Sequence, residues 1–411
     1  MALPWVPVGG HPAVLIDIAG RNAHLFGTSF TNQDFHLLFF VLIGLGLAMF
    51  VVTSLFGRVW CGFACPQTVF MEGVFRPIER IIEGRRLDRI RRNKAGGADM
   101  VWRKILKHAI YIFLCWNLAI AFMAYFIPTR QMLHEIPFFP GNSTALIWSL
   151  SWTALLYFDY SWFREQTCLI ICPYGRLQAT LVDYDTVIIG YDEKRGEPRS
   201  KGVDTGGDCI DCRRCVDVCP TGIDIRNGLQ LECIGCTNCI DACDEIMLKI
   251  KKPKGLVRFD SSRGFETGQS RLLRPRFYIY AVVMLALLGL FVVRAGNRKP
   301  FEVTVMRSQG LPFTIDDGVI RNLYTLQLQN KTDQRRVYFI EPAKDALAGH
   351  EGVDFIIPQP RVEVAGLSDV PLTIFAMMPR SEYSVSEDFN FTFTDSNSGL
   401  ASDVQVRFRG P

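Results

Sequence analysis

Eight cysteines in two short runs constrain this chain more than any other feature. The first run is Cys209-x2-Cys212-x2-Cys215-x3-Cys219, followed by Pro220. The second is Cys233-x2-Cys236-x2-Cys239-x3-Cys243, followed by Asp244. Gaps this short let three thiolates converge on one face of a metal–sulfur cube, while the fourth reaches a neighbouring one. A pair of four-cysteine zinc sites is the rival reading, but zinc pairs two C-x2-C arms across a longer gap. All 13 cysteines fall between Cys61 and Cys243. Cluster thiolates need a reducing compartment, so the cysteine-bearing part is expected to be cytosolic.

The two runs resemble those of bacterial two-cluster ferredoxins, where the last cysteine of each run ligates the other cluster. The resemblance implies two [4Fe–4S] clusters. Cys209, Cys212, Cys215 and Cys243 hold the first; Cys219, Cys233, Cys236 and Cys239 hold the second. Asp244 stands where a proline often follows, which leaves the ligand set intact.

The remainder of the chain reads as membrane helices with soluble parts attached. Hydrophobic residues make up 49% of it, and a net charge of +4 leaves no nucleic-acid footprint. The predicted spans are 35–57, 105–127, 144–163 and 277–293, by the rule that roughly 20 apolar residues cross a bilayer. Residues 1–34 read as a periplasmic lead-in without a cleavable signal, and 128–143, with Arg130, Pro128, Pro137 and Pro140, as an outside turn. Residues 58–104 hold an amphipathic, interfacial helix kinked near Pro77, then an Arg/Lys-dense loop. That loop and the basic stretch 249–276 place the ferredoxin-like segment, 209–250, inside by the positive-inside rule. Residues 164–208 re-enter the cytosol and lead to it as a linker. From 300 to 411, short β-type runs alternate with turns about every ten residues, which predicts a cysteine-free antiparallel sandwich. The fold class is thus a membrane α-helical bundle with an inserted two-cluster segment and a C-terminal all-β sandwich. Asn142 and Asn330 match glycosylation patterns and read as chance matches.

A second cysteine motif occurs twice: Cys61-x3-Cys65-Pro66 and Cys168-x3-Cys172-Pro173, each just beyond a predicted span. Spacing of i, i+4 sets both sulfurs on one helical face. Two such pairs facing each other supply four soft sulfur ligands, suited to Cu(I), zinc or iron–sulfur iron. The opposing reading is of packed, reduced cysteines at helix ends. Cys115 stands alone inside a span and reads as a small packed apolar side chain. The six histidines show no haem-ligand spacing, and no Gly-rich phosphate loop precedes a helix.

Together RVWCGFACPQTVF, REQTCLIICP, RGEPRSKG, the double cysteine run, a final span and a sandwich resemble the cytochrome c oxidase accessory protein CcoG (FixG/RdxA) family over nearly the whole chain. The resemblance implies a protein of the bacterial inner membrane, with its ferredoxin-like segment cytoplasmic and an immunoglobulin-like C-terminal domain periplasmic. It implies reduction of Cu(II) to Cu(I) for copper-site assembly of a cbb3-type oxidase. The oxidase or its copper-delivery factors, membrane lipid and a cytosolic electron donor would be the partners. Cys61, Cys65, Cys168 and Cys172 would form the copper or redox site. It also implies one more hydrophobic span ahead of GGHPAVLIDIAGRNAHLFGT than this sequence carries. A generic quinol- or ferredoxin-linked electron conduit and a non-enzymatic oxidase assembly factor are the competing functions.

Overall fold

The computed structural model describes every residue except 1, 19, 32–33, 85, 130–131, 133–142, 201–205, 270, 272, 307–310, 312, 344–352 and 384–385. Arg130, Pro137, Pro140 and Asn142 of the predicted turn therefore lie outside the described residues. The chain forms two compact units. One gathers Met1–His36, Ala124–Thr129 and Arg294–Pro411; the other gathers Leu37–Met123 and Arg130–Val293.

Two antiparallel sheets build most of the first unit. One runs in the order Asp354–Ile356, Asp369–Pro379, Val319–Asn330, Phe301–Met306, with Thr314–Asp316 also paired to the third of these. The other runs Arg361–Val364, Arg336–Pro342, Glu387–Asp395, Ala401–Phe408. Alternation decides which side faces in: along Val319–Asn330 every second residue from Ile320 is buried. Phe301, Tyr338, Phe389, Phe391, Phe393 and Phe408 fill the space between the sheets. With no cysteine here, burial of these rings supplies the stability.

Asn330 belongs to this core. It is fully buried, and its side-chain amide donates to the carbonyls of Gln334 (2.8 Å), Val364 (3.3 Å) and Ala365 (3.1 Å). Its Oδ1 accepts from the Thr332 amide at 3.0 Å. Its role here is to tie a strand end to two loops. Asn330→Ala would leave these groups unpaired and is expected to cost about 1–3 kcal/mol. A calorimetric scan with an unchanged Tm for this unit would contradict that.

The described residues of 1–34, read from sequence as a lead-in, are folded. Pro7–Val8 pairs with His11–Pro12, and Val14–Asp17, Asn22–Leu25 and Thr28–Thr31 form a three-stranded sheet. Strands of two to four residues carry too little alternation to register as a pattern. Buried Asp34 joins the segment to the sandwich through Arg298 (2.6 Å) and Lys331 (2.9 Å).

The second unit is helical around the cysteines. Three helices, Phe35–Phe56, Ala98–Met123 and Pro275–Gly296, contain stretches long and apolar enough to cross a membrane. The second begins seven residues before its predicted span, because the turn ahead of it is also helical, with Arg103 paired to Asp99 (2.8 Å); inside the span, Lys107 pairs with Glu83 (2.6 Å). Ser143–Phe158 has sixteen residues and continues through a π turn, Asp159–Phe163.

The amphipathic segment is one helical run: Pro66–Phe70, a π turn at Met71–Phe75, then Arg76–Glu83. Pro77 is the second residue after the π turn, where the chain tolerates its missing N–H. Met71 and Phe75 pack with Tyr111, Cys115 and Tyr160, so Cys115 is a core residue. In the predicted linker, Val187–Tyr191 pairs antiparallel with Val257–Ser261, and this ribbon closes the two ends of the cysteine segment together.

Candidate metal centres

The two cysteine runs repeat one backbone design. Asp211 and Gly235 hold equivalent places before the second cysteine of each run, and both have positive φ (52° and 73°). Arg213 and Thr237 hold the place after it, again left-handed (55° and 65°), and each precedes a helix: Arg214–Asp217 and Asn238–Lys249. Such turns aim successive N–H groups into a concavity that favours anions. The amide of Gly235 donates to the Cys233 sulfur, and that of Asn238 to the Cys236 sulfur.

The runs then wrap two cavities. One, of about 370 Å³, is lined by Cys209, Cys212, Cys215 and Cys243, with Tyr191, Met247 and Leu256 among its apolar walls. The other, of about 340 Å³, is lined by Cys219, Cys233, Cys236 and Cys239, and Cys215 also reaches its wall. The last cysteine of each run thus lies with the first three of the other. Neither lining includes a His, Asp or Glu, so the donors are sulfur alone. Such a set fits iron–sulfur clusters. Burial pushes the thiols of Cys236 and Cys243 up to about 12 and that of Cys215 to about 11, so they are neutral near pH 7 until a metal displaces their protons.

Arg226 guards the first cavity. It is buried, and its guanidinium binds Asp224 and Asp211, each at 2.6 Å. Asp244 serves the loop, its carboxylate accepting the Gly255 amide at 2.9 Å. That contact accounts for an acid where proline often stands.

The two C-x3-C-P elements face each other. Arg58 Nη2 donates to the Gly175 carbonyl (3.2 Å), while Gln67 Nε2 donates to the Arg164 carbonyl (3.2 Å). Gln178 accepts from the Cys61 thiol (3.4 Å) and donates to the Gly57 carbonyl (3.1 Å). Cys61 lies within electrostatic reach of Cys65 and Cys172, and Cys168 of all three others. Burial pushes Cys61 up to about 11, against the pull of Arg58, and Cys168 to about 12. Among the described residues, no three His, Cys, Asp or Glu side chains form a single-ion site.

The same elements carry the second cysteine run. Gly62, between Cys61 and Cys65, lies on Gly235, between Cys233 and Cys236. A Cβ on Gly62 would stand 2.2 Å from the Gly235 carbonyl oxygen, and one on Gly235 would stand 2.8 Å from that of Arg58. Asn238 Nδ2 donates to Glu72 at 3.1 Å, and Ile234 shares a cavity with Cys168, Gln67 and Glu72. Sequence reasoning identified the twelve cysteines of these sites but not Gly62, Gly235, Gln178 or Arg226. Each matters through a partner far along the chain.

Comparison with known proteins agrees with this architecture. Residues 163–262 match a 4Fe-4S dicluster domain, 37–85 a 4Fe-4S binding domain, and 291–411 the IG-like fold at the C-terminal of FixG, a putative oxidoreductase. Protein RdxA of Cereibacter sphaeroides is 38% identical over 98% of this chain and 87% of its own length. The chain belongs to the FixG/RdxA family. Protein RdxB of the same organism is 36% identical over 86% of the chain and 80% of its own length. Nitrogen fixation protein FixG of Rhizobium meliloti is 30% identical over 99% of the chain and 87% of its own length. This FixG/RdxA-family chain is an iron–sulfur protein of electron-transfer type with an Ig-like C-terminal domain, and its long apolar helices fit a membrane protein.

Proposed function

We propose that this chain is a multi-pass protein of the bacterial inner membrane that reduces Cu(II) to Cu(I) for copper-site assembly of a cbb3-type cytochrome oxidase. The ferredoxin-like segment faces the cytoplasm and the sandwich the periplasm, as the excess of Lys and Arg in 85–107 and 249–276 supports. Cys209, Cys212, Cys215 and Cys243 hold one [4Fe–4S] cluster; Cys219, Cys233, Cys236 and Cys239 hold the other. These cubes supply one-electron redox chemistry when bound. The protein's residues fix where electrons enter and leave. Cys212 is exposed, so the first cavity is the side open to a cytosolic donor. The second cavity is walled by Ile189, Ile225 and Ile234.

The observation that carries this reading is the contact of Gly62 with Gly235. It leaves no side chain between the loop of the second cavity and the C-x3-C-P elements, where soft sulfurs suit Cu(I) as product. Cu(II) is the substrate, and each ion takes one electron at or near Cys61, Cys65, Cys168 and Cys172. The purified chain with intact clusters, reduced by dithionite and freed of excess reductant, is expected to turn Cu(II) into chelatable Cu(I). Oxidation of the clusters without Cu(I), or clusters that stay reduced, would overturn the proposal.

A further inference from the structure

We propose that Cys61, Cys65, Cys168 and Cys172 together hold a third [4Fe–4S] cluster, in series with that of the second cysteine run. This deepens the electron-transfer reading above: the four thiolates hold the last relay, and Cu(II) meets it from outside as substrate.

The two C-x3-C-P elements end alike, although Val59–Phe63 is α-helical and Thr167–Ile171 is a π turn. The amide of Cys65 donates to the Trp60 carbonyl and that of Cys172 to the Thr167 carbonyl, both at 2.8 Å and both across five residues. Both cysteines are extended (φ −65°, ψ 123° and φ −68°, ψ 110°), and a proline opens the next helix after each. Each element therefore offers two sulfurs in the same way, one before the π-type turn closes and one where it ends.

The two elements are joined in both directions. Arg58, three residues before Cys61, binds the carbonyl of Gly175, three residues after Cys172. Gln67, two residues after Cys65, binds the carbonyl of Arg164, four residues before Cys168. These cross-links make the four thiols neighbours, and among the described residues no three of them meet at a single-ion site, which is equally true of the eight thiols of the two cavities. A cube takes one sulfur at each of four separate irons, whereas a single copper or zinc ion needs all of them at bonding distance from one centre.

Position supplies a second argument. Cys168 and Ile234 line the same cavity of about 210 Å³, and Gly62 lies against Gly235. Cys168 and the turn between Cys61 and Cys65 are thus adjacent to the Cys233–Cys236 loop. Arg58 lies beside both Cys61 and Cys233, and its charge offsets the thiolates of the two sites.

Iron counting tests this. The full-length chain, purified anaerobically in detergent, is expected to carry about twelve irons and as many acid-labile sulfides, four per cube. Cys61→Ala and Cys168→Ala are each expected to lower that to about eight. In the unsubstituted chain, Cys61, Cys65, Cys168 and Cys172 should resist alkylation until a chelator strips the iron; this readout needs no variant to fold. About eight irons in the unsubstituted chain, with the four thiols alkylated at once or covered by one copper or zinc, would overturn the third cluster. The copper-reduction proposal would survive that result. Conversely, twelve irons without Cu(I) production would end the copper proposal and leave the cluster standing.

Discussion

Cys219→Ala is expected to remove the cluster of the second cysteine run and spare that of the first. By sequence, Cys219 closes the first run; by structure, it lines the cavity of Cys233, Cys236 and Cys239. Losing one of four thiolates from this cavity leaves one iron without a protein ligand, and the one other thiol in the lining, Cys215, is engaged by the first cluster. Iron should fall by about four per chain. Cys233, Cys236 and Cys239 should become open to alkylation, read by peptide mass spectrometry, while Cys209, Cys212 and Cys215 stay protected. Cys243→Ala should give the mirror result. Loss of protection at Cys209, Cys212 and Cys215 in Cys219→Ala would mean that each run closes its own cluster.

The second large effect is expected from Gly62→Val. The new Cβ would stand 2.2 Å from the Gly235 carbonyl oxygen and 2.9 Å from its carbon. Both are backbone atoms in a turn fixed by flanking cluster ligands, so no flexible side-chain end can yield. Overpacking of this kind costs about 1–3 kcal/mol. Charged against the docked arrangement, that lowers its population by about 5–150-fold. Cluster content should persist, because none of the twelve cysteines is altered, whereas Cu(I) formation by the reduced protein should fall within that range. Gly73→Ala is the control, since a Cβ there meets nothing within 4 Å. Unchanged Cu(I) formation in Gly62→Val would show that the contact does not carry the electrons.

Much of the site was legible because iron ligation is local. Three cysteines at gaps of two must lie on one loop, and Arg213 and Thr237 adopt the left-handed turn that such loops need. The sandwich was legible for a similar reason: a strand such as Val319–Asn330 alternates over its whole length. The small sheets of residues 7–31 were not, because two to four residues give alternation no room. Ala98–Met123 reaches ahead of the predicted span 105–127, because that span counts apolar residues and the helix also takes in the polar turn before them. Arg103, ahead of that span, finds an acidic partner in Asp99 one turn away. Asn330 carried a surface motif in sequence, yet its four neighbours in space make it core.

By itself the sequence determined the ligand chemistry, the apolar helices and the sandwich, since each follows from residue type at short spacing. Only the tertiary structure brought Cys61 and Cys65 to Cys168 and Cys172, across more than a hundred residues, and set Gly62 on Gly235. Meetings of that kind depend on the packing of whole helices and on the absence of a side chain at one point of contact. No local spacing records either.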